Sequence, residues 1–194
     1  MKSTHRRSVR RFRGAAVALL AASGLAGCGL PGQTNTSPEL AEWFTVTSPA
    51  FRDGTVLPAR FVCATYPGGE GKTPPLHWSG TPASTRAFAI VVDDPDAPEG
   101  AAVLWVIANL GGTTTSIVEG ARPDNTVEAL NTDGRVGYRA PCPPKGERNR
   151  YRFTVYALSE PVPLTRGAPL KQALGTIAKH TVGRGRITGN FGNG

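Results

Sequence analysis

Cysteine and histidine, the side chains that most often ligate metals or serve as nucleophile and base, are scarce in this chain. Its 194 residues include three cysteines and three histidines, and the cysteine spacing matches no metal-site pattern. No serine or cysteine nucleophile is set beside a histidine base, and no glycine-rich loop opens a helix in the manner of a phosphate-binding loop. We therefore expect a protein that is not an enzyme and that uses no cofactor and no metal.

Long apolar runs are also missing, because the longest, from Ala15 to Ala26, is too short to cross a bilayer. The run follows a basic head that contains Lys2, Arg6, Arg7, Arg10, Arg11 and Arg13. A basic head followed by a short apolar run is typical of a signal peptide. The sequence thus predicts a cleaved leader over residues 1–27.

The leader ends in Leu25-Ala26-Gly27-Cys28, which resembles the lipobox of bacterial lipoproteins. This resemblance implies that the Cys28 thiol receives a diacylglycerol and anchors the chain to a membrane. The alternative is an ordinary secretory signal with an incidental cysteine, but the A-x-A match at 16–18 lies too early in the apolar run. The consecutive arginines Arg10 and Arg11 are also compatible with export by the twin-arginine route.

Removing the leader changes the charge of the protein. The whole chain has a formal net charge of +8, but residues 1–27 hold 6 of the 22 basic residues and none of the 14 acidic ones. The mature chain therefore carries 16 basic against 14 acidic side chains, a net charge of about +2. A nucleic-acid partner loses its main support, and we expect none.

The mature chain divides into a tether and one domain. Residues 28–38, beginning with acylated Cys28, have the polar, Gly- and Pro-containing composition of a flexible tether. Residues 39–194 have the length of one domain and show no internal repeat.

In an exported protein, Cys63 and Cys142 are left to form one disulfide, and the alternative is two buried free thiols.

The central motif is an aspartate-rich turn that follows a buried strand. Six apolar residues at 87–92 predict a strand that is buried on both faces, and Asp93-Asp94-Pro95-Asp96-Ala97-Pro98 then ends it. The turn therefore places rigid negative charge at the rim of a sheet. A solvated turn without function is the alternative interpretation.

The remaining patterns predict a mostly β fold. Strands are predicted at 43–47, 57–62, 102–108 and 151–158, a loop at 109–115, a surface segment at 117–131, and a helix from Pro169 to about Val182. Many short strands followed by one late helix favour a mostly antiparallel β-sandwich with Greek-key connections.

Four segments in this order resemble the phosphatidylethanolamine-binding protein family, in the bacterial branch named for similarity to Raf kinase inhibitor protein. They are P-P-L-H-W-S-G at 74–80, V-V-D-D-P-D-A-P at 91–98, L-W-V-I-A-N-L at 104–110, and the long segment from Gly137 to Leu158. The resemblance implies an antiparallel Greek-key β-sandwich with a C-terminal helix. It also implies a small pocket that accepts anions such as phosphate, acetate or a phosphorylated head group.

The family motifs assign pocket positions to residues of this chain. The resemblance implies that the ligand-binding residues are Asp94, Pro95, Asp96, Leu104, Ala140, Pro141, Asn149 and Tyr151. At two of these positions, 104 and 149, the family has a histidine, so the chain departs from the family there. Leucine cannot form a side-chain hydrogen bond, and asparagine donates without a charge. We therefore expect a pocket that is less favourable to phosphate than the family norm.

The sequence does not determine the net charge of the predicted pocket, because arginine and lysine side chains lie near it. Arg139, Lys145, Arg148 and Arg150 are close enough in sequence to restore positive charge. The same residues can equally form a solvated loop face, an interpretation that applies least to Arg150.

The leading hypothesis is a lipid-anchored binding protein on the extracytoplasmic side of the cell membrane, holding a small anionic or polar ligand such as a phospholipid head group. The alternative is a protein-interaction or inhibitor module that binds an envelope protein and no small ligand. A third hypothesis, an enzyme with Asp94 and Asp96 as acid and base, ranks last. Two carboxylates at a wet rim are both ionised at neutral pH unless one is buried.

Overall fold

The structure is a computed structural model that describes residues 42–192. The predicted leader (1–27), the predicted tether (28–38) and the predicted acylation site Cys28 lie outside the described residues. Within 42–192 the one α-helix has 11 residues, and this part of the chain has no helix that is long and apolar enough to cross a membrane.

Seven strands form the larger of two sheets. Its main path is β1 (Glu42–Trp43), β10 (Thr181–Gly192), β9 (Arg148–Leu158), β5 (Ala87–Asp94), β6 (Ala102–Gly111) and β8 (Val127–Glu128), and β3 (Thr55–Val56) also pairs with β10. Neighbouring strands are antiparallel, except that the short strands β1 and β3 run parallel to β10. β9 returns beside β5 after the chain has left β6 and β8, as in a Greek-key connection.

Three short strands form the second sheet, in the order β2 (Thr45–Thr47), β4 (Leu76–Ser79) and β7 (Ser116–Ile117). Their alternating pattern buries Val46, Leu76 and Trp78 against the larger sheet. Trp78 lies 5.3 Å, centroid to centroid, from Phe88 of β5, so aromatic packing joins the two sheets. The prediction of a mostly β sandwich is confirmed.

β5 lies at the centre of the larger sheet because its residues are apolar in succession. All six residues at 87–92 are buried, and Val92 pairs with both Trp105 of β6 and Phe153 of β9. The strand continues two residues beyond the predicted end, through Asp94, which pairs with Ala102. It ends immediately before Pro95, whose missing amide hydrogen cannot extend the ladder.

The predicted helix is present as α1, Leu170–His180. Ala173 and Ile177 are buried on its inner face, in an apolar cluster that includes Ala89 and Val91 of β5. Because β5 is buried against the second sheet on its other face, the helix explains why the strand is apolar throughout.

Three sequence-based expectations are wrong. The segment predicted as a strand at 57–62 contains a 3-10 turn, Ala59–Phe61, which lets Phe61 and Val62 both be buried, whereas a strand would point them to opposite faces. The segment 117–131 is not confined to the surface, since it supplies β8 and buries Glu128. The predicted loop at 109–115 begins later, because β6 runs to Gly111.

The sequence gives no strand signal for the last strand, β10, because the strand is rich in glycine, which is depleted in strands. Gly185 and Gly189 occupy inward positions of β10, where it packs closely against the rest of the core. A Cβ placed on Gly185 would lie 2.4 Å from the carbonyl oxygen of Phe44 and 2.6 Å from a methyl of Val46. A side chain at this position would therefore separate β10 from the second sheet.

Candidate ligand pocket

Asp94 is the last residue of β5 and is only 5% exposed. Its Oδ1 accepts a hydrogen bond from the backbone amide of Asp96 at 2.9 Å, and its Oδ2 accepts one from Nδ2 of Asn149 at 2.9 Å. A carboxylate has about four acceptor positions, so these two contacts leave capacity for further donors.

Asn149 and Tyr151 reach the same place from β9. The strand alternates, so its odd-numbered residues point into the sandwich, where Asn149 is 2% exposed and Tyr151 is fully buried. The Tyr151 hydroxyl has no hydrogen-bond partner among residues 42–192. Burial raises the pKa of this phenol, and the nearby Asp94 carboxylate raises it further. Tyr151 therefore offers a neutral hydroxyl.

Leu104 of β6 completes this group with an apolar surface. Its side chain is 1% exposed, and its carbonyl oxygen accepts a hydrogen bond from the backbone amide of Arg139 at 3.0 Å. That bond joins β6 to the loop around residue 140. Four predicted pocket residues, Asp94, Leu104, Asn149 and Tyr151, thus come together from three adjacent strands.

These four residues line a cavity of about 410 Å³. Residues 97–102 of the turn after β5 form a second part of the wall, Thr132 and Asp133 a third, and Arg139, Cys142 and Pro144 a fourth. The volume falls within the range of about 300–1,000 Å³ that is usual for small-molecule sites.

The other four predicted residues lie beside the cavity and are not among the described residues that line it: Pro95, Asp96, Ala140 and Pro141. Asp96 is directed toward Arg150, which donates to it from its backbone amide at 2.9 Å, from Nε at 2.8 Å and from a terminal nitrogen at 2.6 Å. The Arg150 guanidinium lowers the pKa of Asp96 to about 2. Through its own amide, Asp96 also orients Asp94.

A disulfide between Cys63 and Cys142 is present in the structure, with the two Cα atoms 5.4 Å apart. The backbone amide of Cys63 also donates to the carbonyl oxygen of Pro141 at 2.9 Å. A further hydrogen bond, 2.8 Å long, joins the Tyr66 hydroxyl to the carbonyl oxygen of Pro143. These contacts hold the proline-rich wall of the cavity against the segment that follows β3.

Arg139 is the pocket residue that sequence reasoning left undecided. The structure places it in the cavity wall, where it donates to Asp133 at 2.5 Å. Lys145 and Arg148 are exposed and are not among the described residues that line the cavity. The sequence does not show which of these three cations lines the cavity, because all three lie in or beside one irregular loop. In such a loop the side chains do not alternate between two faces as they do in a strand.

The cavity is acidic overall. Its lining includes the carboxylates of Asp94, Glu99 and Asp133 and one cationic group, the Arg139 guanidinium. No group of three or more potential metal ligands is found among residues 42–192. The lining therefore combines hydrogen-bond acceptors, one buried hydroxyl, one guanidinium and the apolar surface of Leu104.

Comparisons with known proteins agree with this architecture. The sequence profile of the family described as "Phosphatidylethanolamine-binding protein" matches residues 47–192. A "UPF0098 protein" of Methanothermobacter thermautotrophicus is 37% identical over 150 residues, which cover 75% of this chain and 96% of that protein. A Mycobacterium tuberculosis protein named "Putative lipoprotein LppC" is 39% identical over 157 residues, covering 80% of this chain and 76% of that protein.

Solved structures include a similar fold. The crystal structure of YbcL from E. coli, described as a member of the mammalian PEBP family, superimposes with a TM-score of 0.72 at 29% sequence identity. The match covers 78% of this chain and 99% of that chain. With the match at 47–192, these findings show that the chain belongs to the phosphatidylethanolamine-binding protein family.

Proposed function

We propose that this protein is a lipid-anchored envelope protein that binds a small zwitterionic ligand, with a phosphoethanolamine-type head group as the class that suits the pocket best. The observation that carries the proposal is the Asp94 carboxylate, buried at the cavity wall together with the Tyr151 hydroxyl, which no residue in 42–192 contacts by a hydrogen bond. A ligand that donates hydrogen bonds would satisfy both groups.

The charge of the lining supports a zwitterion over a simple anion. Three carboxylates and one guanidinium line the cavity, so an isolated phosphate would meet more repulsion than attraction. An ammonium group would be attracted to Asp94 and its acidic neighbours. A phosphate in the same molecule would have Arg139 as its partner, because guanidinium groups bind phosphate oxygens in bidentate geometry.

The substitutions at 104 and 149 fit the same ligand class. Leu104 presents apolar surface, and the Asn149 amide is already used by Asp94. Neither side chain supplies the positive charge of a histidine. The anion-binding character implied by the family motifs is therefore weakened here, while a polar site with a retained aspartate remains.

The lipid anchor is supported by the L-A-G-C motif at 25–28 behind a basic, apolar leader. It is also supported by the relative whose name describes a lipoprotein. The Cys28→Ala variant should no longer be found in the membrane fraction of the producing cell. Retention of this variant in the membrane fraction would show that acylation of Cys28 is not the anchor.

Calorimetric titration of residues 38–194 tests the ligand. This segment is suitable because the solved E. coli relative consists almost entirely of the matching domain, with 99% of its chain covered. We expect binding heat with phosphoethanolamine, weaker heat with ethanolamine, and the weakest with inorganic phosphate. Asp94→Ala should abolish the phosphoethanolamine heat, whereas Asp124→Ala, at an exposed aspartate outside this cavity, should leave it unchanged.

Two outcomes would refute the ligand assignment. Phosphate binding more tightly than phosphoethanolamine would show that the pocket selects anions despite its carboxylates. No heat with any of the three compounds, together with recovery of one stoichiometric envelope protein on immobilised domain, would favour the interaction module.

A further inference from the structure

Five arginines lie on the outer face of β9 and β10, which is the face opposite the cavity and the second sheet. They are Arg148, Arg150, Arg152, Arg184 and Arg186. Within each strand they occupy alternate positions, so their side chains share one face of the sheet. The register places Arg184 beside Tyr156 and Arg186 beside Thr154. We refer to these five side chains as the arginine face.

The outward direction of these arginines follows from what occupies the inner face. In β10 the inward positions hold Ile187 and the glycines 183, 185 and 189, and the second sheet approaches so closely that Gly185 has no room for a Cβ. In β9 the inward positions include the cavity residues Asn149 and Tyr151. The charged positions alternate with these, so the strand pairing directs the arginines outward.

Part of the positive charge is neutralised. Arg150 pairs with Asp96, and Arg152 donates from Nε to Asp93 at 2.8 Å. The described salt bridges include no carboxylate partner for the other three arginines. Asp53, whose Oδ1 accepts the Thr188 amide hydrogen at the sheet edge, is a further nearby carboxylate. Three of the five guanidinium groups are therefore not paired with a carboxylate in the described salt bridges, whereas two are.

Trp43 extends the same face with an exposed aromatic ring. It pairs in register with Arg184, whose guanidinium carbon lies 4.5 Å from the ring centroid. The ring is 62% exposed, whereas Trp78 and Trp105 are buried. Tryptophan next to arginine is a combination suited to the polar boundary of a bilayer, where the ring inserts and the cation meets lipid phosphates.

We propose that the arginine face with Trp43 is a membrane-docking surface that binds anionic phospholipids and lays the domain against its own membrane. It takes anionic head groups because its excess charge is positive and guanidinium groups pair well with phosphate. It differs from the cavity in location and in charge, since the cavity lining is acidic.

The position at which the chain enters the domain favours a membrane as the occupant. The predicted tether, which begins at Cys28, precedes in sequence β1, the strand that carries Trp43. Thirteen residues separate Cys28 from Glu42, and a flexible segment of that length has a root-mean-square span of about 20 Å. With the proposed anchor in place, the face would be held at high effective concentration near lipid, so weak intrinsic affinity is enough.

Vesicle co-sedimentation of residues 38–194 tests the surface without the anchor, so its outcome is independent of the acylation of Cys28 and of the ligand titration. We expect the domain to pellet with vesicles of phosphatidylglycerol and phosphatidylcholine and not with phosphatidylcholine alone. Binding should decrease as salt is raised, because exposed charges are screened. A blue shift of tryptophan fluorescence on adding anionic vesicles should accompany binding, since Trp43 is the exposed tryptophan.

Substitutions separate the surface from general positive charge. Arg184→Gln/Arg186→Gln should weaken vesicle binding about 25-fold, taking about fivefold for each arginine near an anionic surface. The matched control Arg122→Gln/Arg135→Gln removes the same charge from exposed positions in the segments before and after β8 and should change binding about twofold or less. Arg148→Gln removes one charge at an exposed strand end and leaves the contact between Arg184 and Trp43 in place. It therefore tests the charge of the surface without disturbing the tryptophan ring.

Three results would overturn the proposal. The first is pelleting with anionic vesicles no greater than with phosphatidylcholine. The second is an equal loss of binding in the control pair. The third is preferential capture by an acidic polypeptide or by DNA at the same salt concentration, which would identify a different occupant.

Discussion

The hydrogen bond between Asn149 and Asp94 should be worth more to stability than any exposed polar contact in the domain. Both side chains are buried, at 2% and 5% exposure, and the donor and acceptor atoms are 2.9 Å apart. Asn149→Ala would leave Oδ2 of a buried carboxylate without its donor. Hydrogen bonds to charged groups contribute about 1.5–3 kcal/mol, so we expect this substitution to cost about 2–3 kcal/mol.

A double-mutant cycle measures the interaction directly. Urea unfolding of the wild-type domain, Asp94→Ala, Asn149→Ala and the double variant should give a coupling free energy of about 1.5–3 kcal/mol. In thermal unfolding the asparagine variant should melt about 4–12 °C lower, taking about 2–4 °C per kcal/mol for a domain of this size. All four proteins are compared with the disulfide intact.

The matched control is Asn190→Ala, which removes an asparagine hydrogen bond to the Gly54 carbonyl oxygen at the exposed sheet edge. It should cost less than about 1 kcal/mol, because water replaces the lost donor. A coupling free energy below about 0.5 kcal/mol between Asp94 and Asn149, or equal costs for the two asparagine variants, would refute the reasoning. The cavity wall would then be held by backbone pairing and not by this contact.

Three further outcomes can be measured on the same domain. Leu104→His should raise phosphate affinity, and more at pH 6 than at pH 8, because only the protonated imidazole is a cation; a pH-independent gain would argue against this. Arg150 lowers the pKa of Asp96 to about 2. The ionised Asp96 should therefore add about 1 kcal/mol to the free energy of unfolding above about pH 4, and this stabilisation should be lost as pH falls through 2. The free energy of unfolding of Asp96→Asn should not show this loss. Cys63→Ser/Cys142→Ser should lower the free energy of unfolding by about 3–4 kcal/mol and weaken ligand binding, and non-reducing mass analysis of the wild type should find no free thiol.

Elements with a strong hydrophobic period could be predicted from the sequence. The apolar run at 87–92 became the centre of β5, and the stripe that includes Ile177 became the inner face of α1. In both cases burial of a continuous apolar surface leaves few alternatives. The final strand could not be predicted, because its glycines, such as Gly185, are explained only by the closeness of the other sheet.

The pocket was located from the family motifs, and the structure refines which members line the cavity. Asp94 and Asp96 are two positions apart, which in a continuous strand would put both carboxylates on one face. The strand ends at Asp94, however, and the turn at Pro95 directs Asp96 toward Arg150. Side chains alternate between the two faces only within a strand. The sequence therefore could not show that Asp94 lines the cavity whereas Asp96 does not.

β9 connects the two proposed surfaces because its side chains alternate. Asn149 points inward and binds Asp94 at the cavity, while the next residue, Arg150, points outward and binds Asp96. The turn after β5 is thereby held by consecutive residues of one strand, one on each side of the sheet. Under the two proposals, Asp94 would serve the ligand site and Asp96 would limit the charge of the arginine face. We therefore expect Asp96→Asn to strengthen binding to anionic vesicles and Asp94→Ala to affect binding of the ligand. Weaker vesicle binding by Asp96→Asn would contradict this division of roles.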